Sequence, residues 1–267
     1  MRLLFLGDIF GKPGRNLVRN ELPTLLNEFK ADFCIANIEN IAQGRGVTRK
    51  TASVLFEAGI DAFTSGNHLW DKRESLDYLQ EEPRITKPLN YPKPAYGSEY
   101  YVIDKKNASL AILTLCGQVF LGPSDSIFST FDNIYPKLKK ITPNILIDIH
   151  AEATAEKRAF AYYCAGKVTA VIGTHTHIQT ADEEILNNTA YITDAGMTGP
   201  HDSIIGIKKE IILEKMLSGM PKRYEVSYSG LQINGVIIEF NEQNGEASNI
   251  TRIRRKYDDE FGKKIKS

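Results

Sequence analysis

Eight polar side chains capable of metal or phosphate chemistry follow short apolar runs along this 267-residue chain. They are Asp8, Glu39, Asn40, Asn67, His68, His150, His175 and His177. Taken singly, each has an ordinary structural explanation, since Asp and Asn form turns and a buried His is usually a hydrogen-bonded structural residue. Together they mark five separate strand ends. Because the ends of parallel strands converge in space, this pattern favours one shared metal site.

The ligand types narrow the choice of metal. Carboxylate, amide and imidazole groups are offered, with no cysteine among them, which suits Fe, Mn or Zn and disfavours a structural zinc site built on thiolates. Seven ligand candidates, the set without His68, exceed what one tetrahedral ion needs, so we expect two ions. In the run from Thr174 to His177, the i,i+2 spacing places both imidazoles on one side of an extended segment.

The charge of such a site favours an anionic substrate. Two divalent ions, the carboxylates of Asp8 and Glu39 and one hydroxide leave a net charge of about +1. A phosphate ester would be attracted to this site without a basic surface patch.

The elements that must position these residues alternate between strand and helix in the first third of the chain. Apolar runs predict strands at 2–7, 33–38 and 60–64. Helices are expected over 15–30, where Pro23 would kink or interrupt the helix, and over 48–58, from an N-cap at Thr48 to Gly59. Asp71 and Glu74 resemble a capping box that opens another helix. This alternation is typical of βαβ units with a largely parallel sheet.

Further along the chain, the pattern predicts a second sheet. Strands are expected at 100–103, 110–116, 145–149, 168–172, 224–228, 233–240 and 250–253, with a helix over 154–164. The strands after residue 223 should be antiparallel and finish the second sheet. We expect a single domain over 1–267, with segments 83–98, 117–131 and 195–208 as a rim or small cap.

Composition excludes several classes of protein. Lys plus Arg and Asp plus Glu both number 33, so the net charge is zero and neither a nucleic-acid-coating protein nor a polybasic membrane binder is indicated. Apolar runs stay far below the ~20 residues that a membrane span needs.

Cys34, Cys116 and Cys164 are widely spaced and odd in number, which predicts buried free thiols and the reducing cytoplasm. Exposed sheet edges make a homo-oligomer the expected assembly.

The motifs resemble those of the calcineurin-like metallophosphoesterase superfamily. The matching elements are Gly7-Asp8, Glu39-Asn40, Gly66-Asn67-His68, His150 and Gly173-Thr174-His175-Thr176-His177. Two positions differ from the commonest pattern: Phe10 replaces the His of an Asp-x-His motif, and Glu39-Asn40 replaces a bridging Asp. Both differences are similar to the bacterial YmdB-like phosphodiesterases, as are the strings at 42–46, 66–72, 148–154 and 192–200.

This resemblance covers the whole chain and implies both a fold and an activity. The fold would be a two-sheet α/β sandwich flanked by helices, and the activity hydrolysis of phosphodiesters such as 2′,3′-cyclic AMP at a di-metal centre. Glu39 would bridge both ions; Asp8, Asn40 and His177 would complete one, and Asn67, His150 and His175 the other. A hydroxide shared by the ions would attack phosphorus while His68 protonates the leaving oxygen.

Several points stay open in the sequence. Trp70 either packs in the core or stacks on a nucleobase, and Arg45, between Gly44 and Gly46, either faces phosphate or belongs to a flexible turn. Asp194 is expected to anchor a loop, and His201 to lie on an exposed one. The same centre would also suit a phosphomonoesterase or nuclease. A regulatory protein that binds a nucleotide or RNA is a further alternative, although zero net charge argues against broad RNA binding.

Overall fold

Two β-sheets lie face to face, with helices on their outer faces, in the residues that the computed structural model describes, 1–105 and 108–258. A buried apolar cluster fills the space between the sheets. The predicted two-sheet α/β sandwich is therefore confirmed.

The first sheet has seven strands within the described residues, in the order β2-β11-β12-β1-β3-β4, with β13 also paired to β12. Its strands are β1 (Arg2–Leu6), β2 (Asp8–Ile9), β3 (Phe33–Asn37), β4 (Ala62–Thr64), β11 (Met197–Pro200), β12 (Leu231–Phe240) and β13 (Ala247–Lys256). The central strands β1, β3 and β4 are parallel. Helices α1 (Gly11–Phe29) and α2 (Arg49–Ala58) connect them.

The second sheet has six strands in the described part of the chain, in the order β5-β6-β7-β8-β10-β9. They are β5 (Tyr101–Lys105), β6 (Ala108–Cys116), β7 (Ile145–His150), β8 (Ala170–Thr174), β9 (Glu184–Leu186) and β10 (Thr189–Ile192). Strands β6, β7, β8 and β10 are parallel. The remaining helices are α3 (Ser75–Glu81), α4 (Ile127–Ile141), α5 (Thr154–Cys164) and α6 (Lys209–Ser218).

The alternation of side chains along β1 shows how one strand serves two cores. Leu3 and Phe5 belong to the cluster between the sheets, whereas Leu4 and Leu6 belong to the cluster shared with α1 and α2. Successive side chains of a strand point to opposite faces, so a strand covered on both sides must be apolar throughout. This explains the continuous apolar run at the start of the chain.

The C-terminal strands lie in the first sheet, and their predicted place in the second sheet is wrong. Strand β12 pairs antiparallel with β1, with Val236 opposite Phe5, and β13 pairs with β12. Residues 224–228, which were expected to form a strand, contribute only an isolated bridge between Ile207 and Val226. Periodicity identifies strands that are buried on both faces, but it carries no information about which sheet they join.

Some helix ends differ from the predictions. Helix α2 begins at the predicted N-cap, where the Thr48 side chain accepts a hydrogen bond from the Thr51 N–H. Helix α1 begins at Gly11 and continues through Pro23, because its apolar face is buried against the sheet on both sides of the proline. The capping box at Asp71 is wrong: α3 begins at Ser75 without a side-chain cap.

The described helices and cysteines agree with two simpler expectations. None of those helices is long and apolar enough to cross a membrane. Cys34, Cys116 and Cys164 all lie in the described residues, where they are buried and free of disulfides.

Candidate metal centre

The carboxyl ends of strands from both sheets meet at one edge of the sandwich. Strand β2 carries Asp8, and β7 ends at His150. The turns after β3, β4 and β8 carry the remaining predicted residues, which are Glu39, Asn40, Asn67, His68, His175 and His177. The predicted convergence of strand ends is thus present, and it draws on both sheets.

One group of these residues surrounds a ring nitrogen of His150. Its Nε2 lies 3.2 Å from Glu39 Oε1, 3.1 Å from Asn67 Oδ1 and 3.1 Å from His175 Nδ1. A single ring N–H satisfies only one of these three neighbours. One proton therefore cannot satisfy all four atoms. Such a cluster of potential ligand atoms is the arrangement that a bound cation requires.

A second group lies around Asp8. Asn40 Oδ1 is 3.2 Å from His177 Nε2, and Asp8 Oδ2 accepts a hydrogen bond of 3.2 Å from the backbone N–H of His175. The other oxygen, Asp8 Oδ1, is buried and has no hydrogen-bond partner among the described residues. Burial raises the pKa of the Asp8 carboxyl. A buried carboxylate with an unused oxygen is costly unless a cation compensates it.

Each of the three imidazoles has a polar partner at the ring nitrogen that points away from the other candidates: a hydrogen-bond partner for His150 and His177, and a carboxylate at ion-pair distance for His175. Metal-binding histidines nearly always have such a partner, which sets the tautomer and leaves the other nitrogen free to bind the ion. The partners are Thr174 Oγ1 for His150 Nδ1 at 2.9 Å, Glu152 Oε2 for His175 Nε2 at 3.2 Å, and the Ile205 carbonyl for His177 Nδ1 at 3.2 Å. The residues therefore fit a metal centre.

The protonation of the site follows from its carboxylates. Burial raises the pKa of Glu39, but the charges and hydrogen bonds of His150 and His68 outweigh burial and bring this pKa to about 2. Burial lowers the pKa of His150, but Glu39 and Asp8 outweigh it and raise this pKa to about 9. Burial and the neighbouring charge of His150 lower the pKa of His175 to about 3. Without a cation, His150 therefore holds a proton in the site.

Asp148 lies behind His150 and fixes its orientation. Its Oδ1 accepts a 2.6 Å hydrogen bond from Thr174, and its Oδ2 accepts hydrogen bonds from Thr64 at 2.5 Å and Asn37 at 2.9 Å. Because the single hydroxyl proton of Thr174 goes to Asp148, the Thr174 oxygen accepts the Nδ1–H of His150. This arrangement leaves His150 Nε2 as the ligand atom.

Replacing Thr174 by Val is expected to weaken metal binding about 10–100-fold, because His150 loses the acceptor that fixes its tautomer. Titration of metal into chelator-treated protein measures the effect. Thr86→Val is the matched control: Thr86 is also buried and bonds the Thr114 hydroxyl at 2.9 Å, but it contacts no proposed ligand. Equal metal affinity in the two variants would contradict the role given to Thr174.

A buried ion pair holds the loop that carries His175 and His177. Lys157 Nζ lies 2.8 Å from Asp194 Oδ2 and donates a 2.7 Å hydrogen bond to the Thr174 carbonyl. Asp194 Oδ2 also accepts hydrogen bonds from the backbone and hydroxyl of Thr176. Asp194 thus anchors a loop, as expected from the sequence. The loop needs this support because His175 and His177 both have positive φ angles, 99° and 64°, which non-glycine residues rarely adopt.

Replacing Lys157 by Met is expected to lower the free energy of unfolding by about 3–5 kcal/mol, because the Asp194 charge is left buried and unpaired. Urea unfolding of the metal-free protein measures it. Adding Asp194→Asn to this variant removes the stranded charge and should recover part of the loss. If Lys157→Met lowered the free energy of unfolding by less than about 1 kcal/mol, the buried ion pair would not have the stabilising role given to it here.

Gly66 allows the turn after β4 to approach the ligands closely. A Cβ added at this position would overlap both His150 Nε2 and Glu39 Oε2. The absence of a side chain is therefore what brings Asn67 and His68 beside the centre.

His68 stands at the edge of the centre and is 23% exposed. Its backbone N–H donates to Glu39 Oε2 at 2.9 Å, and its Nδ1 lies 2.9 Å from Asp71 Oδ2. This contact with Asp71 fixes the orientation of the ring, which lines the cleft in front of the centre. Asp71 acts here on His68 instead of capping a helix.

The cleft in front of the centre has a volume of about 460 Å³, within the range that takes a small-molecule ligand. Five proposed site residues line it: Glu39, Asn40, His68, His175 and His177. The apolar part of the lining is formed by Phe10, Ile205, Ile207 and Tyr224. Arg45 and Lys72 add positive charge at the edge.

The other candidates from the sequence have different places. Trp70 donates a 2.9 Å hydrogen bond to the Tyr96 carbonyl and packs 5.1 Å from the Tyr91 ring, outside the cleft, so it is a packing residue. His201 was expected to be exposed, and this is wrong. It is half-buried, because its Nε2 bonds the Met197 carbonyl at 2.9 Å, and it does not line the cleft.

The three segments expected at the rim contribute unequally. Only 195–208 reaches the lining of the cleft, through Ile205 and Ile207, and its residues 197–200 form the buried strand β11. Segment 117–131 runs into helix α4, and neither it nor 83–98 lines the cleft.

Comparison with known proteins places the chain among phosphoesterases. The family model described as YmdB-like protein matches residues 4–253. A Bacillus subtilis protein named 2′,3′-cyclic-nucleotide 2′-phosphodiesterase is 42% identical and covers 95% of this chain and 96% of its own length. A Mycoplasma pneumoniae structure described as a novel phosphatase has a TM-score of 0.91 at 33% identity, covering 99% and 96% of the two chains. A hypothetical protein from Thermus thermophilus has a TM-score of 0.90 at 35% identity, covering 96% and 99%.

Proposed function

Because the chain belongs to the YmdB-like family and is a metallophosphoesterase, we propose that it hydrolyses 2′,3′-cyclic nucleotides with two bound metal ions. The proposed substrate comes from the name of the Bacillus subtilis relative. The observation that carries the metal centre is the set of three imidazoles. Each has a polar partner at one ring nitrogen, and its other ring nitrogen lies within 3.2 Å of another proposed ligand.

The proposed ligand set follows the two groups of contacts. Glu39 would bridge the ions, with Asp8, Asn40 and His177 at one and Asn67, His150 and His175 at the other. When bound, divalent or mixed-valence transition-metal ions, Fe or Mn with Zn as the alternative, supply Lewis acidity to the phosphate and to the attacking water.

His68 supplies the proton that the leaving group needs. The oxygen of a water molecule adds to phosphorus, the P–O2′ bond breaks, and the proton on His68 Nε2 passes to O2′, which yields a 3′-phosphate and a free 2′-hydroxyl. The proton that the water releases passes to solvent, from which His68 is protonated again. In this scheme the Asp71 carboxylate, 2.9 Å from Nδ1, accepts a hydrogen bond from that nitrogen and leaves Nε2 to donate to the leaving group. Asp71 is a positioning residue in this scheme.

The walls of the cleft suit a nucleotide. Phe10, Ile205 and Tyr224 offer an apolar and aromatic surface to a base, and Arg45 and Lys72 offer positive charge to its phosphate. The 460 Å³ volume accommodates one such ligand.

The decisive experiment measures metal content by mass spectrometry and hydrolysis of 2′,3′-cyclic AMP on the same sample. About two transition-metal ions per chain together with turnover is the expected result. Two ions without turnover would overturn the substrate assignment, and failure to bind metal after reconstitution with Mn or Fe would overturn the metal centre.

A phosphomonoesterase is the second candidate, because the Mycoplasma pneumoniae relative is described as a phosphatase. Comparing hydrolysis of bis-p-nitrophenyl phosphate with that of p-nitrophenyl phosphate separates the two activities. Faster hydrolysis of the monoester would favour the phosphatase.

The proposed location is the cytoplasm, since three free buried thiols fit a reducing compartment. The proposed assembly is a homo-oligomer formed through a sheet edge such as β9. Light scattering coupled to size-exclusion chromatography tests the assembly.

A further inference from the structure

A second cleft, of about 770 Å³, adjoins the one in front of the metal centre. Gln43 and Tyr224 line both clefts, so they mark the place where the two spaces meet. Each volume lies within the range of about 300–1,000 Å³ that takes a drug-sized ligand. Together the clefts hold more than one mononucleotide.

The second cleft carries a surplus of positive charge although the whole chain is neutral. Five cationic side chains and three carboxylates line it. Two of the lysines are neutralised, since Lys208 Nζ lies 2.5 Å from Glu225 Oε2 and Lys209 Nζ lies 2.7 Å from Asp202 Oδ1. The surplus therefore falls on the remaining cationic groups.

Arg15 and Arg223 are the cationic groups best placed for an anion. Within the described residues, neither lies at ion-pair distance from a carboxylate, and the Arg15 guanidinium donates to the Ile41 carbonyl. Burial lowers the pKa of Arg15, so an anion beside it would offset the cost of its desolvation. Tyr224 and Tyr228 add aromatic rings to the same lining.

We propose that the second cleft binds the backbone of an RNA oligonucleotide whose terminal 2′,3′-cyclic phosphate occupies the metal centre. This rests on the proposed function. A nucleotide in the first cleft is joined through its 5′ oxygen to the next phosphate, which would enter the second cleft past Tyr224. Each added nucleotide brings one negative charge and one base, which match the surplus charge and the tyrosines.

The reaction at the chain end is the same as on the mononucleotide. Water adds to phosphorus, the P–O2′ bond breaks, and O2′ takes the proton, so the product is an oligonucleotide with a 3′-phosphate. Because the basic surface is local, binding would depend on only about two phosphates, with a salt slope of roughly −1.4. This differs from the broad RNA binding that zero net charge argues against.

The test compares kcat/KM for the dinucleotide adenylyl-adenosine 2′,3′-cyclic phosphate with kcat/KM for 2′,3′-cyclic AMP. We expect the ratio to be about tenfold in favour of the dinucleotide at low salt and to fall as salt rises. Arg15→Gln and Arg223→Gln should each reduce this ratio. Lys140→Gln is the matched control, because Lys140 is exposed on α4, which packs against the other sheet.

The outcomes separate this inference from the function on which it rests. A ratio near one in the unchanged protein, or one that both Arg variants leave unaltered, would overturn the second cleft as an RNA site while leaving cyclic-nucleotide hydrolysis intact. Loss of 2′,3′-cyclic AMP hydrolysis itself would instead overturn the proposed function. Arg223 is exposed, so Arg223→Gln keeps the test open if the half-buried Arg15 is needed for folding.

Discussion

Replacing Glu39 by Gln is expected to remove both metal ions and to lower turnover about 10³-fold or more. Glu39 is 1% exposed, and its two oxygens serve opposite sides: Oε1 lies 3.2 Å from His150 Nε2, and Oε2 accepts the N–H of His68. A neutral amide of the same shape keeps the packing but withdraws the charge that two cations would share. Metal content by mass spectrometry, measured beside activity, checks this.

The control for Glu39 is Glu156→Gln. Glu156 also accepts a backbone N–H, that of Gln118 at 2.8 Å, but it contacts none of the proposed ligands. It should keep its metal content and its activity. If Glu39→Gln retained two ions per chain, Glu39 would not be the bridging ligand.

Replacing His68 by Gln is expected to lower turnover of 2′,3′-cyclic AMP about 10²–10⁴-fold, because the leaving O2′ loses its proton donor. Metal content should be preserved, since the His68 ring is oriented by Asp71 and the hydrogen bond to Glu39 comes from the His68 backbone N–H, which the variant keeps. Bis-p-nitrophenyl phosphate sharpens the test. Its leaving group departs as a stable anion, so the loss on that substrate should be small.

Equal losses on both substrates would show that His68 binds or orders the site and does not donate a proton. Asp71→Asn serves as the companion variant. This variant keeps the shape of the side chain beside His68 Nδ1 but removes the negative charge. Turnover should therefore fall less than in His68→Gln, and again more on 2′,3′-cyclic AMP than on bis-p-nitrophenyl phosphate.

The location of the site was accessible from sequence because it depends on one general property of parallel sheets. Apolar runs ending in Asp8, Glu39, Asn67, His150 and His175 identify strand ends, and parallel strand ends converge. The structure brings these residues together through the contacts described above. Their division into two groups agrees with the ligand sets that the family resemblance implies, which remain a proposal.

The residues that orient the ligands were harder to find. Asp148 is a single carboxylate in the apolar run of β7, and Lys157 lies on the buried face of α5 together with Phe160 and Cys164. A charged residue at a position whose neighbours are buried is a usable signal of an internal partner. Asp71 had no such signal, because its spacing from Glu74 also fits a helix cap.

The order of strands in a sheet was beyond sequence reasoning for a different reason. Strand β12 pairs with β1 across more than two hundred residues, and no local pattern records so distant a partner. The antiparallel pair β12–β13 is visible from its two runs rich in β-branched residues and the short polar connection between them, but the sheet that it joins depends on which apolar surface the pair covers.

The position of β12 has a consequence for protein synthesis. In the first sheet, β12 lies between β1 and β11, and β11 pairs with β2 at Asp8. A nascent chain that has reached residue 230 already contains every proposed ligand, yet the strand that sets the spacing between β1 and β11 has not been made. Asp8 is translated more than two hundred residues before β12 and can take its place beside the other proposed ligands only once that strand has been made. Metal loading should therefore follow the synthesis of β12, so that cellular metal binds an assembled sheet instead of guiding its folding.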